Sequence, residues 1–258
     1  MLGNITLGQY YPGNSFVHKL DPRTKILVTL LLITAIFLAQ SAVAYAVLCG
    51  MVLFIVALAR LPFLLVLKSV KPLLFIILLT LAMHIFLGQG EQILYQWKFI
   101  RVTEEGLQMG VKMSMRLILL LMLSSILTFT TSPIVLTDGI ESLLRPFKRI
   151  GVPAHELAMM MTIALRFIPT LIEETDKIMN AQKARGAQLD TGKMTDRVKA
   201  LVPVLIPLFI SAFRRADELA MAMECRCYRG GDGRTRLKVL RCTRQDYIDL
   251  AVSIVCFM

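Results

Sequence analysis

A run of 34 residues, 26–59, contains no charged side chain. A helix that spans a bilayer needs about 20 apolar residues, so the run has the length of two short spans, with Gln40 and Ser41 as a polar turn between them. Hydrophobic residues make up 56% of the chain, whereas a soluble domain has about 45–50%, and a disordered chain needs low hydrophobicity. The run is also too long for a secretory signal peptide. These features predict an integral membrane protein.

Two further apolar runs, 73–87 and 107–131, have the composition of membrane helices, and a last one, 250–258, is too short to span as it stands. Arg116 lies deep in the fourth run, where an unpaired Arg in lipid is costly, so we expect it to face protein. We expect an all-α integral membrane protein with about four to five transmembrane helices plus long cytoplasmic coupling helices. The predicted domains are a membrane domain, 1–131 (spans at about 26–39, 41–59, 73–87 and 107–131), a cytoplasmic region, 132–243, and a last membrane helix, 244–258.

Basic residues in short loops mark the cytoplasmic side of a membrane protein. The segment before the first span and the loop after the second span are basic, whereas the 88–106 segment, which we expect to be a polar link, is acidic. The charged residues of the three segments are Lys19, Asp21, Arg23 and Lys25; Arg60, Lys68 and Lys71; and Glu91, Lys98, Arg101, Glu104 and Glu105. We therefore place the N-terminus and the 132–243 region in the cytoplasm of a multi-pass protein of the cell membrane.

Three helices are predicted in the cytoplasmic region, at about 134–150, 154–187 and 196–227, from apolar residues at helical spacing. Each of the two longer helices would extend about 50 Å. The 200–213 segment has no charge on any face and is too short to span a bilayer. We therefore expect it to be buried against membrane helices or a partner.

An isolated Arg lies between small residues at the C-terminal end of each long helix, in Ala184-Arg185-Gly186 and in Cys225-Arg226-Cys227. One interpretation is structural, because a cation interacts favourably with the C-terminal end of a helix dipole and Gly is common just past that end. The other is functional: small neighbours let the helix tip enter a groove on a partner, where the Arg donates to a carboxylate or to backbone carbonyls. The residues alone leave both interpretations open.

Three stretches of the chain resemble the transmembrane T component of energy-coupling factor (ECF) transporters, which are ABC-type importers of vitamins and metal ions. They are Pro12–Ser15 with His18–Lys25; Ala164–Pro169, continuing through Glu173-Glu174 to Ala181–Gly186; and Arg214–Ala216 through Met223–Tyr228. The resemblance covers nearly the whole chain. It departs from the family pattern at the second Arg, which has Cys on both sides, although Cys is also small.

The resemblance implies a non-catalytic subunit that transmits conformational change. The Arg185 and Arg226 motifs would seat in grooves on two cytoplasmic ABC-type ATPase subunits. ATP binding would close the ATPase pair and move the two helix tips. The long helices would pass this motion to a small membrane-embedded S component, which binds the vitamin or ion, sets substrate choice and rotates to release its cargo inward.

No motif for ATP binding or catalysis is present in the sequence. The Gly230–Gly233 segment lacks the Lys-Ser/Thr element of a phosphate-binding loop, so we expect no cofactor on this chain and ATP on the partner ATPases. Cys225, Cys227 and Cys242 do not have the spacing of a zinc site. The basic excess, 29 Lys and Arg against 18 Asp and Glu, fits cytoplasmic loops and acidic ATPase surfaces better than nucleic acid.

Two other functions remain as alternatives. A membrane-embedded enzyme of lipid or isoprenoid metabolism would need acids clustered at the membrane face to bind metal and diphosphate, but the acids of this chain are scattered on helix exteriors. A channel or sole transporter would need polar residues lining its spans, and 26–59 is nearly devoid of them.

Overall fold

The computed structural model describes residues 10–87, 93–97, 100–187, 194–230 and 246. They divide into two compact units, one formed by the described residues of 10–139 with Asp246, the other by those of 140–230. The regular structure is overwhelmingly helical, which confirms the predicted all-α membrane fold class. The helices are α1 Phe16–Lys19, α2 Pro22–Leu38, α3 Ala42–Leu58, α4 Phe63–Val70, a 3₁₀ turn Lys71–Leu73, α5 Leu74–Leu87, α6 Glu104–Thr130, α7 Pro133–Leu144, a 3₁₀ helix Arg145–Ile150, α8 Ala154–Ala184 and α9 Met194–Cys225.

Among the described residues, three helical segments are long and apolar enough to cross a membrane, Phe63–Phe86, Glu104–Thr130 and Ala154–Ala184, and Ala42–Leu58 is a shorter apolar helix. The first of these continues without a break through α4, the 3₁₀ turn and α5. The third is α8, the helix that the sequence analysis places in the cytoplasm. By length and composition alone, α8 could span a membrane.

The core of the first unit is apolar and includes residues of α2, α3 and α6. Leu32 and Ile36 of α2, Val52 of α3 and Leu119 and Leu123 of α6 belong to one cluster and are almost inaccessible to solvent. Large apolar side chains also cover the outer faces, among them Leu38, Phe54 and Phe75. Because exposed apolar area is unfavourable in water, this outer surface suits contact with lipid.

A buried Lys lies at the N-terminal end of α2. The Lys25 Nζ atom donates to the backbone oxygens of His18 (3.2 Å) and Thr130 (3.0 Å) and to Thr131 Oγ1 (3.3 Å). A buried ammonium group is tolerated only where it is paired and hydrogen bonded. Lys25 therefore fixes the start of α2 to the C-terminal end of α6.

Two Asp residues complete this polar junction. Asp21 caps α2, since its Oδ1 atom accepts a hydrogen bond from the Arg23 N–H at 3.0 Å, and its own N–H donates to Asp246 Oδ1 at 2.9 Å. Both Asp residues are buried.

The predicted last membrane helix, 244–258, otherwise lies outside the described residues, as do Cys242 and the 250–258 run.

The Arg116 side chain packs against the C-terminal end of α2. Its Nη2 atom approaches the backbone oxygens of Phe37 at 3.4 Å and Ala39 at 3.5 Å, and its guanidinium lies 5.6 Å from the centre of the Phe37 ring. The last carbonyls of a helix have no partner inside the helix. Arg116 faces protein, as the sequence predicts.

The 88–106 link contains regular structure that the sequence analysis missed. Strands β1 (Ile93–Trp97) and β2 (Ile100–Thr103) pair in antiparallel register, with Trp97 opposite Ile100. Thr103 then caps α6, because its side chain accepts from the Gly106 N–H at 3.3 Å. The described part of the link is therefore an antiparallel pair of strands, and β2 leads directly into α6.

The predicted 134–150 segment contains two kinds of helix. The α-helix α7 ends at Leu144 and a 3₁₀ helix, Arg145–Ile150, follows. Pro146 has no N–H to donate and its ring clashes with the preceding turn, which ends an α-helix. Gly151 then closes the 3₁₀ helix in a left-handed conformation, φ +92°.

Candidate docking site

The C-terminal tip of α8 is closed by backbone hydrogen bonds. The Gly186 N–H donates to Lys183 O and the Ala187 N–H donates to Gln182 O, both at 3.0 Å. Gly186 has φ +87°. This pair of bonds around a left-handed residue is the Schellman motif, and it makes Arg185 the C-cap residue.

The C-terminal tip of α9 has the same geometry. The Cys227 N–H donates to Glu224 O at 2.8 Å and the Tyr228 N–H donates to Met223 O at 3.1 Å. Cys227 takes the position of Gly186, with φ +57°. Arg226 is therefore the C-cap residue of α9, in the same structural position as Arg185 in α8.

All six residues predicted to dock are solvent exposed. They are Ala184, Arg185, Gly186, Cys225, Arg226 and Cys227. Within the part of the chain that the structure describes, the guanidinium groups of Arg185 and Arg226 make no hydrogen bond or ion pair, and only the backbone N–H groups of the two residues are bonded. The backbone N–H groups already satisfy carbonyls at each helix end. Each guanidinium thus presents a set of donors to the surroundings, on a tip with small neighbours.

Polar contacts join α8 and α9 in antiparallel order. Glu174 accepts from Ser211 Oγ and, at 3.2 Å, from Arg215 Nη2. The Arg215 guanidinium also lies 5.9 Å from the centre of the Phe167 ring. Further along, Gln182 Nε2 donates to the Pro203 backbone oxygen at 3.4 Å. As residue numbers rise along α8, those of their contacts fall along α9.

The antiparallel order places the two Arg residues at opposite ends of the helix pair. Arg226 follows Pro203 by 23 residues on α9, about 35 Å of helix at 1.5 Å per residue. Arg185 follows Gln182 by three residues in the opposite direction. The two tips are therefore about 40 Å apart along the helix axis.

The helix pair exposes large apolar side chains. Phe209 is 60% and Phe213 is 68% exposed on α9, and Met160 is 57% exposed on α8. Others are Leu157, Met161, Ile168, Leu201, Val202, Leu205, Ile206, Ile210 and Met221. Val204 in the predicted buried segment is inaccessible, but most of its neighbours are exposed. Patches of this kind mark surfaces that a protein or a membrane covers.

The contact between Gln182 and Pro203 was missed in the sequence analysis. Pro207 has no N–H, so the carbonyl four residues earlier, that of Pro203, loses its partner within the helix. The Gln182 amide supplies a donor instead. A Pro inside a predicted helix signals an unpaired carbonyl, but only the helix pairing reveals which side chain reaches it.

Cys225 and Cys227 are free, exposed thiols. No group of three or more His, Cys, Asp or Glu side chains positioned to hold a metal ion occurs among the residues that the structure describes. Cys242 and most of the Gly230–Gly233 segment lie outside those residues. The site is therefore described by its two Arg tips and by the apolar surface of the pair.

The membrane helices and the two-tipped helix pair define a class of protein, a multi-pass membrane component with a surface for partners. The family model described as cobalt transport protein, CbiQ, matches residues 13–237. The energy-coupling factor transporter transmembrane protein EcfT of Acidaminococcus fermentans is 62% identical, covering 100% of this chain and 96% of the relative. A protein of that name from Clostridium kluyveri is 54% identical, covering 99% of this chain and 96% of the relative. Another from Bacillus subtilis is 48% identical, covering 95% of this chain and 93% of the relative. The chain belongs to this family of ECF transporter transmembrane proteins.

Proposed function

We propose that this chain is the coupling subunit of an ATP-driven ECF importer, and that the α8 and α9 tips dock onto two cytoplasmic ABC-type ATPase subunits. The observation that carries the proposal is the matched geometry of the tips. Arg185 and Arg226 have the same C-cap position, both are exposed, and they lie at opposite ends of one helix pair. One subunit can therefore engage two separate partners.

The chemistry of each tip suits an acidic groove. A guanidinium forms bidentate hydrogen bonds with a carboxylate, and charge-assisted bonds of this kind are about twice as strong as neutral ones. Small residues beside each Arg allow the helix end to approach closely. Since each tip is closed by its own backbone, docking requires no loss of existing hydrogen bonds at the Arg side chain.

The exposed apolar surface of α8 and α9 is proposed to contact a membrane-embedded S component and lipid. ATP binding closes the ATPase pair and displaces the two tips, and the helix pair passes that motion to the S component. The S component selects the vitamin or metal ion. In this scheme the chain binds no ATP and performs no catalysis, and its N-terminus and coupling helices lie in the cytoplasm.

Co-purification in mild detergent from native membranes tests the proposal. The tagged chain is expected to bring down two ATPase subunits and a small membrane protein, and mass identification of that protein gives the substrate class. Arg185→Glu and Arg226→Glu should each weaken ATPase association without loss of membrane insertion. Lys177→Glu on α8 and Arg229→Glu beside the α9 tip are matched charge reversals of exposed residues and should leave association unchanged.

Two outcomes would refute the docking assignment. One is intact association and uptake in both Arg reversals. The other is an equal loss in the matched controls, because the effect would then reflect overall charge and not the tips. A chain that comes out alone, from membranes that contain the ATPases, would instead favour the membrane-enzyme alternative, which family membership does not support.

A further inference from the structure

The residue that closes the α9 cap also contacts the first turns of α8. The Tyr228 hydroxyl lies 3.3 Å from His155 Nε2 and 3.0 Å from Met159 Sδ. His155 Nδ1 lies 3.1 Å from Glu141 Oε1 of α7. These four side chains form one chain of contacts from α7 through α8 to the end of α9.

The proton positions in this series of contacts follow from the chemistry of Glu141 at one end and Met159 at the other. Where the Glu141 carboxylate accepts the hydrogen bond from His155, the proton of the ring lies on Nδ1. In a neutral ring, Nε2 then accepts from the Tyr228 hydroxyl. In a charged ring, Nε2 donates to Tyr228 and the hydroxyl proton is directed to Met159. The bond between His155 and Tyr228 forms in either case.

The two Arg tips differ in this respect. The residue after the left-handed cap position is Tyr228 at the α9 tip and Ala187 at the α8 tip. Ala187 has no polar side chain and completes its cap through the backbone alone. Tyr228 completes its cap in the same way and adds a side-chain anchor two residues from Arg226.

We propose that Tyr228, held by His155 and Glu141, is a positioning residue that fixes the Arg226 tip against the first turns of α8. The effect on docking rests on the function proposed above, whereas the effect on tip geometry does not. The α9 tip is therefore held in place before its partner binds. A preorganised tip binds more tightly because less conformational freedom is lost on association.

The geometry is tested by a distance measurement between spin labels. The labels are placed at Cys225 and at Met160→Cys, both of which are exposed, with the other four cysteines replaced by Ser. Tyr228→Phe should widen the distance distribution about twofold or more, and so should His155→Leu. The double variant should widen it no further, because both changes break the same chain. Tyr45→Phe, in the core of α3, is the matched control.

Docking is tested in the assembled transporter by a double-mutant cycle. Tyr228→Phe should lower ATPase affinity about two- to tenfold, the range expected for one hydrogen bond. It should cause no further loss in an Arg226→Glu background and a full further loss in an Arg185→Glu background. A general loss of stability would instead act equally in both backgrounds.

The two measurements separate the two proposals. If Tyr228→Phe leaves the distance distribution unchanged, the positioning role is wrong whatever happens to docking. If Arg226→Glu leaves ATPase affinity intact, the docking function is wrong, while a widened distribution still supports the anchor. If the distribution widens and Tyr228→Phe acts equally in both Arg backgrounds, the anchor does not act through the Arg226 tip.

Discussion

Gly186 holds the α8 cap in a left-handed conformation, so its replacement by Ala isolates the contribution of that conformation. A Cβ built at this position meets no atom within 4 Å, and Gly186→Ala therefore changes backbone preference without adding a clash. An L-residue in this region costs about 1–2 kcal/mol. Ala offsets about 0.4–1 kcal/mol by restricting the open chain. The net cost is about 1 kcal/mol, or about fivefold in the ratio of closed to open tip.

Amide hydrogen exchange measures this ratio directly. The N–H groups of Gly186 and Ala187 close the cap, so Gly186→Ala should make the Ala187 amide exchange about fivefold faster. Gly186→Asn should stay near the wild-type rate, because Asn adopts this conformation more readily than Ala. Cys227→Gly is the reverse change at the α9 tip, and the Tyr228 amide should exchange at the same rate or more slowly.

The prediction is refuted if the Ala187 amide exchanges as slowly in Gly186→Ala as in the wild type. It is also refuted if Gly186→Asn and Gly186→Ala raise the exchange rate equally. The left-handed conformation of residue 186 would then not be what closes the tip. The 181–187 region can be followed by mass spectrometry in detergent. Residues of the α8 middle, which keep their helical bonds, serve as the internal reference.

Two further predictions concern buried and unpaired polar groups. Lys25→Met should lower the free energy of unfolding by about 3–5 kcal/mol, because it removes the positive charge that interacts with the buried Asp246 and Asp21. Thermal denaturation in detergent measures the loss, with exposed Lys68→Met as the control, and equal melting of the two variants would contradict the junction. Gln182→Ala should destabilise the helix pair by about 1 kcal/mol, but not in a Pro207→Ala background, where the N–H restored at position 207 pairs with Pro203 O; a cycle of thermal unfolding measures the coupling, and additive losses would contradict it.

The sequence predicts the membrane helices and both Arg tips because these features are local. A charge-free run of sufficient length and an Arg between small residues at a helix end can each be read within one segment. Lys25 has its partner carbonyl 105 residues away at Thr130, and no local pattern encodes that pairing. The strands β1 and β2 are short and lie in a link whose composition resembles a loop.

Some helix ends can also be predicted from local sequence, whereas others cannot. Pro146 lies in the predicted 134–150 segment, and its missing N–H marks the α7 boundary from sequence alone. The matched C-cap position of Arg185 and Arg226 is different, because it requires the φ angle of Cys227, and a Cys in a left-handed conformation is unusual. The tripeptides predict two tips, but only the backbone shows that the tips are equivalent.

The placement of polar groups on α8 and α9 indicates the surroundings of the pair. In a soluble helical hairpin the apolar faces pack together and the polar faces meet water. Here Glu174, Ser211 and Arg215 contact one another between the helices, while Phe209 and Phe213 point outward. An apolar partner can therefore cover the outer face without burying the Glu174 carboxylate or the Ser211 hydroxyl unpaired. The same arrangement leaves both Arg tips exposed at opposite ends of the helix pair.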